Sequence, residues 1–125
     1  MESEQKTIVI VEDEQDAADL FEEMLRVNGF RTVKTHDSDA AMKLILEEKP
    51  AAVILDIMMP IISGLEILQY MRKQAILKDT PVIVVSANSL PVDIKAALDA
   101  GATLYLTKPV GYKDLKSAIE QVLKV

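Results

Sequence analysis

The sequence contains no cysteine and a single histidine, His36. Without thiols there is no disulfide framework and no thiolate metal site. One imidazole alone cannot build a zinc or copper centre, and His36, after a weak apolar run, reads as an exposed structural residue. Positive charge is also in short supply: 14 Lys and Arg stand against 20 Asp and Glu, a net charge of -6. That balance lacks the clustered cations that grip a phosphate backbone, so direct nucleic acid binding is not expected. Long apolar runs are missing too. None approaches the roughly 20 residues that span a bilayer, and residues 1–6 are polar with no signal core. A soluble, cytoplasmic protein without membrane attachment is the expectation.

What is present is a core. Half of the 125 residues are hydrophobic, enough for one compact domain, with residues 1–6 as a polar tail. Ile8-Val9-Ile10-Val11, Ala52-Val53-Ile54-Leu55 and Pro81-Val82-Ile83-Val84-Val85 are short β-branched runs, apolar on both faces. Such runs suit parallel strands covered by helices on both sides. Residues 30–35 and 102–106 are weaker strand candidates, placed nearer the edges. Between the runs the period becomes helical. Ala17, Leu20, Phe21, Met24 and Leu25 form one stripe, stopped by Asn28-Gly29. Ala41, Leu44 and Ile45 form another, with Ser38 as a candidate cap and Pro50 as its end. Further helices are expected at about 64–73 and 92–100, and Leu115, Ala118, Ile119 and Val122 mark the last. Five β/α units with right-handed crossovers give a doubly wound α/β sandwich, in which ligands sit at the carboxyl ends of the strands.

The residues at those ends are chemically distinctive. Glu12, Asp13 and Glu14 follow the first strand, Asp56 the third and Ser86 the fourth, while Lys108-Pro109 lies past the fifth. Alone, each has an ordinary reading: the acids as a solvated helix start, Asp56 as a turn former, Ser86 as a loop cap, Lys108 as a surface lysine. Together they place carboxylates, a hydroxyl and an ammonium on one rim. Crowded carboxylates repel, and a hard divalent ion held by oxygens, Mg²⁺ in particular, offsets this better than Lys108 alone. A carboxylate so placed can attack a phosphoryl group. Asp56, at the end of the central strand, is the candidate nucleophile, with Glu12 and Asp13 at the metal end of the site.

On these residues the chain resembles the receiver domain of two-component response regulators, a CheY-like family. The resemblance runs from about Lys6 to Lys124 and rests on Val9-Ile10-Val11-Glu12-Asp13-Glu14, Asp56-Ile57-Met58-Met59-Pro60 with Gly64, Val84-Val85-Ser86-Ala87, Gly101-Ala102 and Lys108-Pro109. It implies a flavodoxin-like fold, a five-stranded parallel sheet of order 2-1-3-4-5 with five helices. It further implies that Asp56 accepts a phosphoryl group from a phosphohistidine on a sensor histidine kinase or a histidine phosphotransfer protein. By the same resemblance Asp13, Asp56 and the Met58 backbone carbonyl ligate Mg²⁺, with Glu12 acting through water. Ser86 and Lys108 contact the phosphoryl oxygens, Tyr105 is an aromatic switch, and the Lys108–Pro109 bond is cis. The partner downstream is an effector protein or output domain, met by the surface of the fourth helix, fifth strand and fifth helix. On this reading the protein is a signalling switch and not an enzyme acting on a separate substrate. Glu12 stands where Asp is commoner, Ser86 where Thr is, and Val110 where an aromatic is often found.

Three other readings compete. A haloacid-dehalogenase-like phosphatase shares the Asp, Ser, Lys and Mg²⁺ but needs a second Asp two residues after the nucleophile, where this chain has Met58. A flavodoxin-like cofactor binder needs a glycine- and hydroxyl-rich loop after the first strand, where three acids stand. A pseudo-receiver acting only in docking is disfavoured because every reactive group is retained.

Overall fold

The computed structural model describes residues 5–59 and 62–124. Residues 1–4 of the expected tail and Pro60 of the 56–60 motif lie outside them. Strands and helices alternate along the chain: β1 Thr7–Val11, α1 Gln15–Val27, β2 Arg31–Thr35, α2 Ser38–Glu48, β3 Ala52–Asp56, α3 Gly64–Lys73, β4 Val82–Ser86, α4 Pro91–Asp99, β5 Leu104–Thr107 and α5 Tyr112–Leu123. The strands form one parallel sheet in the order β2-β1-β3-β4-β5, as expected.

The β-branched runs are explained by the sheet's two covered faces. Side chains alternate across a strand. Val9, Val11, Val53, Leu55, Val82 and Val84 pack with Ala41, Ile45, Ile67, Leu68, Met71 and Ala97 of α2, α3 and α4. Ile8, Ile10, Ala52, Ile54, Ile83 and Val85 pack with Ala18, Phe21, Leu25, Leu115, Ala118 and Ile119 of α1 and α5. Burying each such Val, Ile or Leu side chain contributes about 1.5–3 kcal/mol, so both faces anchor the central strands. β2 and β5 are the edges and are only partly covered.

Some local expectations are corrected. The α1 stripe buries Ala18, Phe21 and Leu25, whereas Leu20 is 48% exposed. The helix is rotated so that positions 18, 21 and 25 face the sheet. The α2 cap is Asp37, which accepts from the Asp39 amide at 2.9 Å. Ser38 is instead the first helical residue, buried, and its Oγ accepts from the Ile62 amide at 3.3 Å. β2 begins after Phe30, whose amide still donates to Leu25 O at the exit of α1. β5 begins after Gly101-Ala102, which belong to the turn closing α4. Asp56 and Ser86 are the last residues of their strands and do not follow them. Both are buried with the rest of their strands, and the backbone ladder carries on through them past the end of the apolar run.

Candidate phosphoryl-acceptor site

Strand order fixes where the site lies. The chain leaves β1 toward β2 on one side and reaches β3 on the other, so the sheet's switch point is the crevice between the carboxyl ends of β1 and β3. Val11 pairs with Leu55, which places Glu12 and Asp13 beside Asp56. Glu12 extends the β1 ladder by one bond, its amide donating to Thr35 O at 3.1 Å. That bond draws its side chain fully inside, at 0% exposure, while Asp13 stays exposed.

Carboxylate oxygens of Glu12, Asp13 and Asp56 lie within 4.8 Å of one another. Lys108 approaches from the β5–α5 loop, its amide donating to Ser86 O at 2.8 Å. Its Nζ sits 3.3 Å from Asp56 Oδ2, 2.8 Å from Glu12 Oε1 and 3.1 Å from Glu14 Oε1. The other Asp56 oxygen, Oδ1, accepts from the Met58 amide at 2.9 Å, which fixes the carboxylate's orientation. The Lys108–Pro109 peptide bond is cis, as the resemblance implies.

The electrostatics follow from burial. Removal from water, together with the neighbouring Asp56 carboxylate, pushes the Glu12 carboxyl up to about 7, with Lys108 partly opposing. Burial works against the Lys108 ammonium as well, but its contacts with Glu12 and Glu14 and the field of Asp56 outweigh that cost. Its pKa lies above the ordinary lysine value. Glu12 Oε1 is buried with no directed hydrogen bond from any described residue, although Lys108 Nζ lies at ion-pair distance. We read this contact as a charge pair without hydrogen-bond alignment. An under-satisfied buried oxygen beside two further carboxylates fits a hard, oxygen-seeking divalent cation, and the absence of thiols fits nothing softer.

On the far side Ser86 is fully buried at the end of β4, its Oγ accepting from the Asn88 amide at 3.1 Å. Tyr105 lies against the same loop, its hydroxyl donating to Asn88 O at 2.6 Å. Met58 is 60% exposed beside Asp56, whereas Met59 is buried in the core. Glu12, Asp13, Asp56 and Lys108 are therefore brought together as expected, and Ser86 and Tyr105 are joined through Asn88. Two partners were not anticipated from the sequence. Glu14, part of the acidic run, is a direct partner of Lys108, and Asn88 ties its own loop to α4 through Asp93 at 2.8 Å.

The architecture and its rim thus define a flavodoxin-like α/β protein with an acidic, lysine-bearing cleft at the switch point. The chain belongs to the response regulator receiver domain family, which it matches over residues 8–120. It is 33% identical over 119 residues to the phosphate regulon transcriptional regulatory protein PhoB of Klebsiella pneumoniae, an alignment covering 95% of this chain and 52% of that one. The chain spans about half the length of the curated relatives it matches. Among solved structures it resembles the CheY-like response regulator receiver domain protein of Methanospirillum hungatei JF-1. There the identity is 26% and the TM-score 0.90, over 97% of this chain and 95% of that one. It also resembles the receiver domain of the sensor histidine kinase PA1611 of Pseudomonas aeruginosa PAO1, which has a magnesium ion coordinated in its active-site cleft. That match has 26% identity and a TM-score of 0.89, over 98% of this chain and 100% of that one. Among the described residues of this chain, no helix is long and apolar enough to cross a membrane.

Proposed function

We propose that this receiver domain is a phosphoacceptor switch in which Asp56 takes a phosphoryl group from a phosphohistidine on a sensor histidine kinase or histidine phosphotransfer protein. The observation that carries this reading is the meeting of the Glu12, Asp13 and Asp56 oxygens within 4.8 Å, with Lys108 Nζ 3.3 Å from Asp56. Mg²⁺ is the cofactor this site would take, held by Asp13, Asp56 and the Met58 carbonyl with Glu12 acting through water; when bound it would neutralise charge on the transferring oxygens. The ion coordinated in the Pseudomonas aeruginosa PA1611 receiver supports this choice.

The chain's own residues do the rest. The Met58 amide holds one Asp56 oxygen, leaving the other to attack phosphorus while the donor's imidazole departs with the electron pair of the broken P–N bond. Lys108 sits where the phosphoryl charge arrives and exchanges part of its bonding to Asp56 for the new oxygens. Ser86 rotates its hydroxyl to donate to one of them, and this draws on the loop whose Asn88 amide it now accepts. Tyr105, bonded to Asn88 O, follows that loop. The result is a population shift of the face formed by α4, β5 and α5 toward a form that a downstream effector or output domain binds.

On this account residues 1–125 work as one receiver domain in the cytoplasm, without direct contact with nucleic acid or membrane, and turn over no substrate beyond their own phosphorylation. A dehalogenase-like phosphatase is disfavoured because exposed, apolar Met58 stands where its general acid is required. The test is Asp56→Asn with labelled acetyl phosphate in Mg²⁺. The wild type takes up label and the variant, still folded by circular dichroism, does not; undiminished labelling of the variant overturns the proposal.

A further inference from the structure

At the opposite end of the strands, before β4 and β5 begin, lies a polar cluster that the site does not use. Arg72, in the last turn of α3, is half-buried and spends its guanidinium on backbone carbonyls. Nε and Nη2 donate to Gly101 O at 3.1 and 2.8 Å. Nη1 donates to Thr80 O at 2.8 Å and to Leu77 O at 3.1 Å. One side chain therefore ties the α3–β4 connection to the turn that closes α4. The fit is close: Gly101 has φ +113, and a Cβ there would meet Arg72 Cγ and Nε at 2.8 Å.

α4 needs such a tie, because little else holds it. Of its nine residues only Ala97 is buried, while Val92 and Leu98 are 70% and 44% exposed. Its two ends are secured in different ways. The first turn is linked to the candidate site: Ser86 Oγ accepts from Asn88 N, Asn88 Oδ1 accepts from Leu90 N, and Asn88 Nδ2 donates to Asp93. The last turn closes on Gly101 and Ala102, whose amides donate to Leu98 O and Ala97 O, and Arg72 grips the Gly101 carbonyl between them.

We infer that Arg72 pins the carboxyl end of α4, so that the helix answers events at Asp56 as a lever, its first turn moving with Asn88 while its last turn stays in place. This rests on the phosphoacceptor reading above. A charged donor shared among three carbonyls is hard to replace, whereas the bonds at the amino end run through a loop and side-chain amides. A pull on Ser86 is thereby turned into reorientation of the exposed Val92 side of α4, with no sliding of the whole helix.

Amide exchange followed by NMR on the full chain tests this in two arms. In the first, Arg72→Lys keeps the charge and aliphatic stem but cannot span the carbonyls. Exchange at residues 100–102 should accelerate roughly tenfold or more, as expected for the loss of one or more charge-assisted bonds, with residues 88–94 unchanged. Unaltered exchange at 100–102 overturns the pin. In the second arm, wild-type protein receives Mg²⁺ with beryllofluoride, a stable stand-in for a phosphoryl group on a carboxylate. Apart from amides of the site itself, changes in and around α4 should fall on residues 88–94 at its amino end and spare 101–103. Equal changes at both ends overturn the lever. No change at any amide overturns the phosphoacceptor reading and the lever with it, while the first arm still decides the pin.

Discussion

Gly64→Ala is expected to damage the site without touching any group in it. Gly64 opens α3, its amide bonded to Ile57 O at 3.2 Å. A Cβ there would lie 2.4 Å from Ile57 Cα, 2.6 Å from Asp56 O and 2.9 Å from Ile57 Cγ2. Ordinary carbon contacts sit near 3.5 Å, so something must move by about 1 Å. Two of the three atoms are backbone and cannot rotate away. Overpacking of this kind costs about 1–3 kcal/mol, offset by at most about 1 kcal/mol of helix propensity gained by alanine. The backbone pushed aside is that of Asp56 and Ile57, so the carboxylate leaves its register with Lys108. Misplacement by about 1 Å costs on the order of a hundredfold in rate. Urea unfolding should therefore show a loss of about 1–2 kcal/mol, and the rate of phosphoryl uptake from acetyl phosphate should fall far more than that stability loss explains. A variant that unfolds at the wild-type midpoint and reacts within twofold of the wild-type rate would refute the reasoning.

Three further outcomes follow from the same geometry. Lys108→Met removes the ammonium from beside buried Glu12 and Asp56 and should cost about 1–3 kcal/mol in urea unfolding at neutral pH. This is less than the 3–5 kcal/mol of a fully buried pair, because solvent reaches Lys108 and Glu12 can take up a proton. Wild-type levels of stability would contradict it. Mg²⁺ should raise the thermal midpoint of the wild type, by the equivalent of about 2.7 kcal/mol at a hundredfold excess over Kd. Asp13→Asn should lose most of that gain, and an equal gain in both would exclude Asp13 as a ligand. Glu22 is hydrogen-bonded to Lys34 and Thr32, and Lys34 foremost holds its pKa below the usual carboxylate value. Its stabilising effect is thus complete above the unfolded pKa of 4.5 and is lost as pH falls through the folded one. Glu22→Gln should flatten the acid limb of the stability–pH curve below about pH 4.5, and an unchanged limb would rule the pair out.

Much of the fold was legible because burial on two faces leaves a plain signature. β1, β3 and β4 are continuous β-branched runs, while the sheet order is what the resemblance to the receiver family implies. Asp56 and Lys108 were legible for a related reason, since the carboxyl ends of such strands are where this architecture gathers ligands. The edges were less so. β2 and β5 are partly exposed, and their ends are decided by backbone bonds such as Phe30 N to Leu25 O and Thr103 N to Val82 O, which leave no mark in side-chain type. The Asp37 cap was obscured because Ser38, beside it, has the same capping chemistry and is diverted to the Ile62 amide. Arg72 was invisible for a different reason. Its partners are carbonyls, which every residue carries, and no sequence pattern distinguishes the three it uses.

The central claim is that one particular carboxylate receives the phosphoryl group, and chemical mapping of the wild type tests it most directly. After reaction with acetyl phosphate in Mg²⁺, borohydride reduction converts an aspartyl phosphate to homoserine, which peptide mass spectrometry then locates. The account predicts conversion at Asp56, dependent on Mg²⁺, with Glu12 and Asp13 unmodified. Conversion at another acid, or label that resists reduction and maps to His36 or a hydroxyl residue, would contradict it.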